Sequence, residues 1–320
     1  MQKQRVVLLC PGQGAQAVGM GKTWMESCSA SAQTFAAADE IADLGDLGAL
    51  TKRCFEGPAE TLNRTDVSQP ALFATAVASY QALLEQWGGV EIEATLGLSL
   101  GEYTALHLAG AFDFNDGLRL VATRGRLMQE AAEASQGGMV ALVGANEEQA
   151  DELCDKARGD DVLVPANFNS KGQIVVSGSA SACDRAVEIA GTMGLRASRL
   201  SVAGAFHSPL MAPAAEGMAK ALAEVEIQPL GTVVYSNVTG KPHESDNPEL
   251  LKQRLIEQLT SPVRWDRNCS ALAGTLAGMA EEDRPQVHEL APGKVLKGLF
   301  RRIDKSVEVT SHDQPDNTPV

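Results

Sequence analysis

The stretch Ile92-Glu93-Ala94-Thr95-Leu96-Gly97-Leu98-Ser99-Leu100-Gly101-Glu102-Tyr103-Thr104-Ala105-Leu106-His107-Leu108-Ala109 decides how this chain is read. Ile92–Leu98 has the aliphatic character of a short buried strand, and Leu100–Ala109 turns helical at once. Between them stands Gly97-Leu98-Ser99-Leu100-Gly101, a G-x-S-x-G pattern at a strand-to-helix junction. The glycines on either side of the Ser remove the Cβ clashes that so sharp a turn would create. The hydroxyl then stands at a helix N-terminus, where backbone N–H groups and the helix dipole can hold a developing oxyanion. The same letters also describe a Gly-Ser turn without chemistry. The strand-to-helix context favours Ser99 as a nucleophile.

Working outward, Arg5–Cys10 (RVVLLC) reads as a buried strand that stops at Pro11-Gly12. Val67–Trp87 is a helical run that is apolar nearly all round, and Asn115–Ala134 is a second long helix. After Gln136-Gly137-Gly138 the rhythm changes. Met139–Gly144, Val162–Phe168, Gln173–Ser177 and Leu195–Leu200 read as strands, with helices at Asn146–Ala157 and Ala180–Met193. That strand-helix-strand-strand-helix-strand order is the split β-α-β pattern of ferredoxin-like units. Later elements are a helix at Pro213–Val225, a strand at Thr232–Asn237, helices at Leu250–Leu259 and Ala271–Ala280, and a strand at Val287–Leu290. The expected organisation is a large α/β body from residues 1–134 and 202–303, a small inserted subdomain at 135–201, and a polar, flexible tail at 304–320.

The 320 residues carry a net charge of −14, which argues against nucleic acid or an anionic membrane as a partner over the whole surface. An apolar fraction of 44% argues against disorder. The six cysteines form no Cys-x-x-Cys and read as isolated, reduced thiols. The apolar run near the N-terminus is too short for a signal peptide, and no stretch approaches the ~18 apolar residues of a membrane span. A cytoplasmic location is expected.

A Ser nucleophile needs a base, and the chain offers five histidines. His107 lies two turns along the same helix, His243 in a polar loop, His288 beside a strand with an acidic neighbour, and His312 in the tail. His207, in Gly204-Ala205-Phe206-His207-Ser208-Pro209, is the best partner by elimination, although a lone loop His is more often packing. No carboxylate near it is an evident third member, so a distant carboxylate or a main-chain carbonyl must accept from Nδ1–H. Pro11-Gly12-Gln13-Gly14-Ala15-Gln16 brings a flexible backbone N–H close to a ligand, or is a plain turn. Gly19-Met20-Gly21-Lys22-Thr23 ends like a phosphate-binding loop, but Gln16 stands where that motif needs Gly. Arg124 falls on the apolar face of its helix. A buried Arg calls for a carboxylate, either a structural ion-pair partner or the carboxylate of a substrate, and the first is the commoner case.

Taken in order, Pro11–Gln16, Gly97–Glu102, Arg124-Gly125, Asn167-Phe168-Asn169-Ser170, the loop 204–209 and Pro292-Gly293-Lys294 closely resemble the malonyl-CoA:acyl-carrier-protein transacylases. The resemblance spans residues ~5 to ~302, and it is the combination of motifs, more than any one of them, that is specific. It implies an α/β-hydrolase-like core with an inserted small ferredoxin-like subdomain. It implies Ser99 as nucleophile, His207 as general base and then acid, and the main-chain carbonyl of Gln258 as the group that orients His207. The backbone N–H groups of Gln13 and Leu100 would form the oxyanion hole. Arg124 would pair with the free carboxylate of the malonyl group, with Asn169 and Phe206 as further substrate contacts. Two departures stand out: Leu98 replaces the family's usual His, and Ala291 replaces a common Gly.

The implied substrates are malonyl-CoA and acyl carrier protein, with no metal, flavin, nucleotide or haem, and the chain is expected to be a monomer. Rival readings are a serine thioesterase using the same pair, a trans-acting acyltransferase of a polyketide pathway, and a non-catalytic docking module. A carrier is itself usually acidic, so a local basic patch must receive it. Lys294, Lys297 and Arg301, with Arg302 and Lys305, cluster near the C-terminus; Lys171, Arg196 and Arg199 stand in the small subdomain.

Overall fold

The computed structural model describes residues 3–244 and 246–315. Two sheets organise it. The first is five-stranded and parallel, in the order β7-β2-β1-β8-β9, formed by β1 (Gln4–Cys10), β2 (Val90–Gly97), β7 (Val233–Val234), β8 (Gln286–Glu289) and β9 (Val309–Ser311). Val6 to Cys10 are fully buried, as a central parallel strand covered on both faces requires. The second sheet is antiparallel, in the order β4-β5-β3-β6, from β3 (Gly137–Val143), β4 (Leu163–Ser170), β5 (Gln173–Ser179) and β6 (Arg196–Arg199). Helices Glu147–Arg158 and Ala180–Thr192 connect its strands, so the order is that of a split β-α-β unit. The fold is thus mixed α/β, with a parallel sheet and a separate antiparallel one.

The largest apolar cluster surrounds the helix Thr65–Gln86, which is buried on nearly every side and packs against the helix Phe114–Ser135. The two sheets are stitched where the chain after the helix Pro248–Glu257 meets β4. Asn167 and Val263 form a parallel bridge, with Phe168 N–H donating to Val263 O at 2.9 Å and Val263 N–H to Ala166 O at 2.8 Å. Arg264 closes the junction: its guanidinium lies 3.8 Å from the centre of the Phe168 ring and donates to both carboxylate oxygens of Glu147.

Two expectations change. The strand expected at Thr232–Asn237 shrinks to Val233–Val234, the pair in register with Ala94 and Thr95 of β2, because Tyr235 passes into a bridge with Pro242. The tail expected to be flexible from residue 304 is corrected as far as residue 315. Val309–Ser311 pairs with β8, Ser311 Oγ–H donates to Glu289 at 2.7 Å, and Gly293 N–H donates to Asp313 at 2.6 Å. His312 is buried beneath it, 2.9 Å from His288 and in ring contact with Trp87. Residues 316–320 of the expected tail lie outside the described residues.

Candidate active site

β2 delivers Ser99 as the G-x-S-x-G pattern requires. Ser99 has φ 52°, in the left-handed region, and the helix Gly101–Leu108 starts directly after it. The glycine before it is obligatory: a Cβ on Gly97 would lie 1.9 Å from the carbonyl carbon of Gly101. Asn237, just beyond β7, clasps the turn from the side. Its Oδ1 accepts the Ser99 N–H at 2.6 Å and its Nδ2 donates to Gly97 O at 2.7 Å. The loop after β1 packs on the turn closely enough that a Cβ on Gly12 would meet Leu98 O at 2.1 Å.

His207 arrives from the loop after β6, also at positive φ (57°), in a turn held by Ser208 Oγ–H donating to Ala205 O. Its Nε2 stands 2.8 Å from Ser99 Oγ, and its Nδ1 stands 2.7 Å from the main-chain O of Gln258. A carbonyl only accepts, so Nδ1 carries the proton and Nε2 is left to accept from the hydroxyl. Burial pushes the imidazole down to about 4, helped by the Arg124 charge and opposed by the Gln258 carbonyl.

Arg124 projects from the helix Phe114–Ser135 and is 1% exposed. The structural ion pair weighed for it is absent: among the described residues it meets no carboxylate. Its Nη1 donates to Gln69 Oε1 at 2.8 Å, and its Nη2 to Gln258 Oε1 at 2.7 Å and to Ser99 Oγ at 3.1 Å. A buried cation with neutral partners, against the reactive hydroxyl, suits an anionic ligand group.

Ser99 and His207 open into a cleft of about 300 Å³ between the two sheets. Gln13, Leu98 and Phe206 line it, with Asn169 from β4. The Asn169 Oδ1 is buried and without a partner among the described residues. Neither the Gln13 nor the Leu100 main-chain N–H has an intramolecular acceptor among those residues. Ser-His pairs of this geometry carry out acyl transfer by way of an ester.

The residue pattern matches the acyl transferase domain over residues 7–281. A malonyl CoA-acyl carrier protein transacylase of Bacillus subtilis (strain 168) is 37% identical over 98% of this chain and 94% of its own length. The chain belongs to the malonyl CoA-acyl carrier protein transacylase family. A crystal structure of a malonyl-CoA:acyl carrier protein transacylase from Xanthomonas oryzae superposes with a TM-score of 0.89 at 39% identity, covering 98% of this chain and 96% of that one. A malonyl-transacylase solved with its type II polyketide acyl-carrier protein gives a TM-score of 0.87 at 34% identity, covering 98% and 96%.

In this member of the transacylase family, Leu98, the residue noted above as a departure from the expected pattern, lines the cleft as an apolar wall. Lys294, Lys297 and Arg301 are exposed at and along the helix Val295–Ile303, outside the cleft lining. Arg199 is ion-paired with Asp184, whereas Arg302 donates only to the neutral side chain of Gln173 and keeps its charge. Sequence reasoning missed Asn237, Gln69 and a buried pair, Glu102 and His243, whose Oε1 and Nε2 are 2.7 Å apart. His243 was expected in a polar loop, yet its side chain is 3% exposed because Glu102 draws it inward. The acidic residue inside the apolar helix 101–108 was the one available signal. Among the described residues no group of His, Cys, Asp and Glu could hold a metal ion, no helix is long and apolar enough to cross a membrane, and the six cysteines are unpaired.

Proposed function

We propose that this protein transfers the malonyl group from malonyl-CoA to the phosphopantetheine thiol of acyl carrier protein through an ester on Ser99. The observation that carries the reading is the unbroken chain Ser99 Oγ, His207 Nε2, His207 Nδ1, Gln258 O, with the unpaired Arg124 guanidinium beside it.

In the first half, Ser99 Oγ attacks the thioester carbonyl while its proton passes to His207 Nε2. The Gln13 and Leu100 N–H groups receive the oxyanion. The C–S bond then breaks, and the CoA sulfur leaves with the proton from His207. In the second half the carrier thiol gives its proton to His207 and attacks the Ser99 ester. Collapse returns the proton to Ser99 Oγ. Arg124 holds the malonyl carboxylate, and Asn169 and Phe206 shape the space around it. Nothing in this sequence of steps calls for a resident cofactor.

We read the parallel-sheet body, residues 1–134 and 202–303, as an α/β-hydrolase-like core and residues 135–201 as an inserted ferredoxin-like subdomain; the two separate sheets support this. Lys294, Lys297 and Arg301 are read as the patch that meets the acidic carrier and the CoA phosphates. The protein is read as a cytoplasmic monomer with no nucleic-acid or membrane partner.

Intact-mass measurement after mixing with malonyl-CoA tests the central claim. The wild-type chain should gain one malonyl group and lose it on adding holo acyl carrier protein, and Ser99→Ala should gain none. Steady release of free malonate without any thiol acceptor would instead make the protein a thioesterase.

A further inference from the structure

Behind Ser99 lies a second polar layer whose own side chains do not line the cleft. Glu102, in the first turn of the helix Gly101–Leu108, is buried with a side-chain exposure of 1%. Its Oε2 accepts from Gln258 Nε2 at 2.5 Å, and its Oε1 accepts from the Asn237 N–H at 3.2 Å and stands 2.7 Å from His243 Nε2. The Gln258 amide is therefore gripped at both ends. Its oxygen takes a hydrogen bond from Arg124 Nη2, and its nitrogen donates to Glu102 and, at 3.0 Å, to Ser99 O.

The two ends of a Gln amide are nearly alike in shape, so its orientation is set by what each end faces. A guanidinium only donates and a carboxylate only accepts. Turned over, the Gln258 amide would set its NH₂ against Arg124 and its oxygen against Glu102. The carboxylate thus locks the amide, and the locked amide aims the guanidinium. It also brings a negative charge to within one side chain of a buried cation that has no ion pair of its own. In keeping with this, burial lowers the Arg124 pKa, while Tyr103 and Glu102 act the other way.

The geometry points to Glu102, braced by His243, as a positioning residue that makes the site selective for a carboxylate-bearing acyl group without touching it. This deepens the function proposed above and rests on its assignments of Ser99 and Arg124.

The test compares single-turnover acylation of Ser99 by malonyl-CoA and by acetyl-CoA, read by intact mass, alongside melting temperature. Glu102→Gln keeps the shape but puts an NH₂ among groups that already donate. The malonyl-to-acetyl rate ratio should fall about tenfold or more, the scale of a lost hydrogen bond to a charged group. Gln258→Met keeps the main-chain carbonyl on His207 and removes the amide that links Glu102 to Arg124, so it serves if Glu102→Gln folds poorly; the ratio should fall there too. A ratio that stays at the wild-type value in both variants, or equal losses for both acyl groups with a lower melting temperature, overturns the proposal and leaves Glu102 structural. A wild-type chain that takes no malonyl group, or an Arg124→Ala variant that keeps the malonyl preference, shows instead that the underlying assignment of Ser99 or Arg124 has failed.

Discussion

At the scale of single residues, His207 is the group whose environment decides how the site responds to pH. Desolvation and the neighbouring guanidinium hold it down to about 4, against an ordinary value near 6.5 for a free imidazole. It therefore remains a neutral base through the mildly acidic range. The acid limb of Ser99 acylation by malonyl-CoA should lie near pH 4, not near 6.5, in a stopped-flow pH profile. Arg124→Ala removes one of the causes of the shift, so that limb should move upward in pH. Stability follows the same linkage. The unfolded chain takes up a proton on this imidazole at about 6.5 and the folded chain only near 4. The contribution of His207 is thus fully present above about 6.5 and is lost as pH falls through that window, which denaturant midpoints across the range would record.

At the scale of elements, the turn between β2 and the helix Gly101–Leu108 tolerates almost no added volume. Gly97→Ala forces a Cβ against the Gly101 carbonyl and should cost about 3 kcal/mol or more. Gly274 offers a control, since it sits inside the exposed part of the helix Trp265–Ala277 with nothing within 4 Å of a built Cβ. Gly274→Ala should stabilise by about 0.5–1 kcal/mol. Urea melts of the two variants would separate a steric requirement from mere composition. The β2-Ser99-helix unit was legible because strand, turn and helix are contiguous, and their hydrophobic periods change at the Ser. The groups that serve this unit were not, for they come from far along the chain. Asn237 is 138 residues from the Ser99 N–H that it accepts, and His243 is 141 residues from Glu102. Without a fold, His243 is only a histidine in a polar run. The strand β9 was hidden for a related reason. Val309–Ser311 is too short and too polar in its surroundings to announce itself, and it forms because β8 offers an open edge and Glu289 accepts from Ser311.

At the scale of the whole molecule, a body with a net charge of −14 would, on the function proposed above, have to meet a carrier expected to be acidic. Long-range repulsion then slows encounter, and only local cations can reverse it. Lys297 and Arg301 stand four residues apart on the exposed face of the helix Val295–Ile303, whose other face is buried. Charge reversal at both should raise the KM for acyl carrier protein and flatten its dependence on ionic strength, while leaving the first-half acylation rate by malonyl-CoA within about twofold. Titrating the carrier at several salt concentrations measures both. The bridge between Asn167 and Val263 adds a constraint on how the molecule breathes. One short run of chain bears the carbonyl that orients His207 and also the pairing that anchors the antiparallel sheet. Swinging that sheet outward would tug on Gln258 and slacken its grip on the imidazole. A gaping mouth would then be an idle one, and the protein would disarm its own base at the moment when water had freest access to the ester.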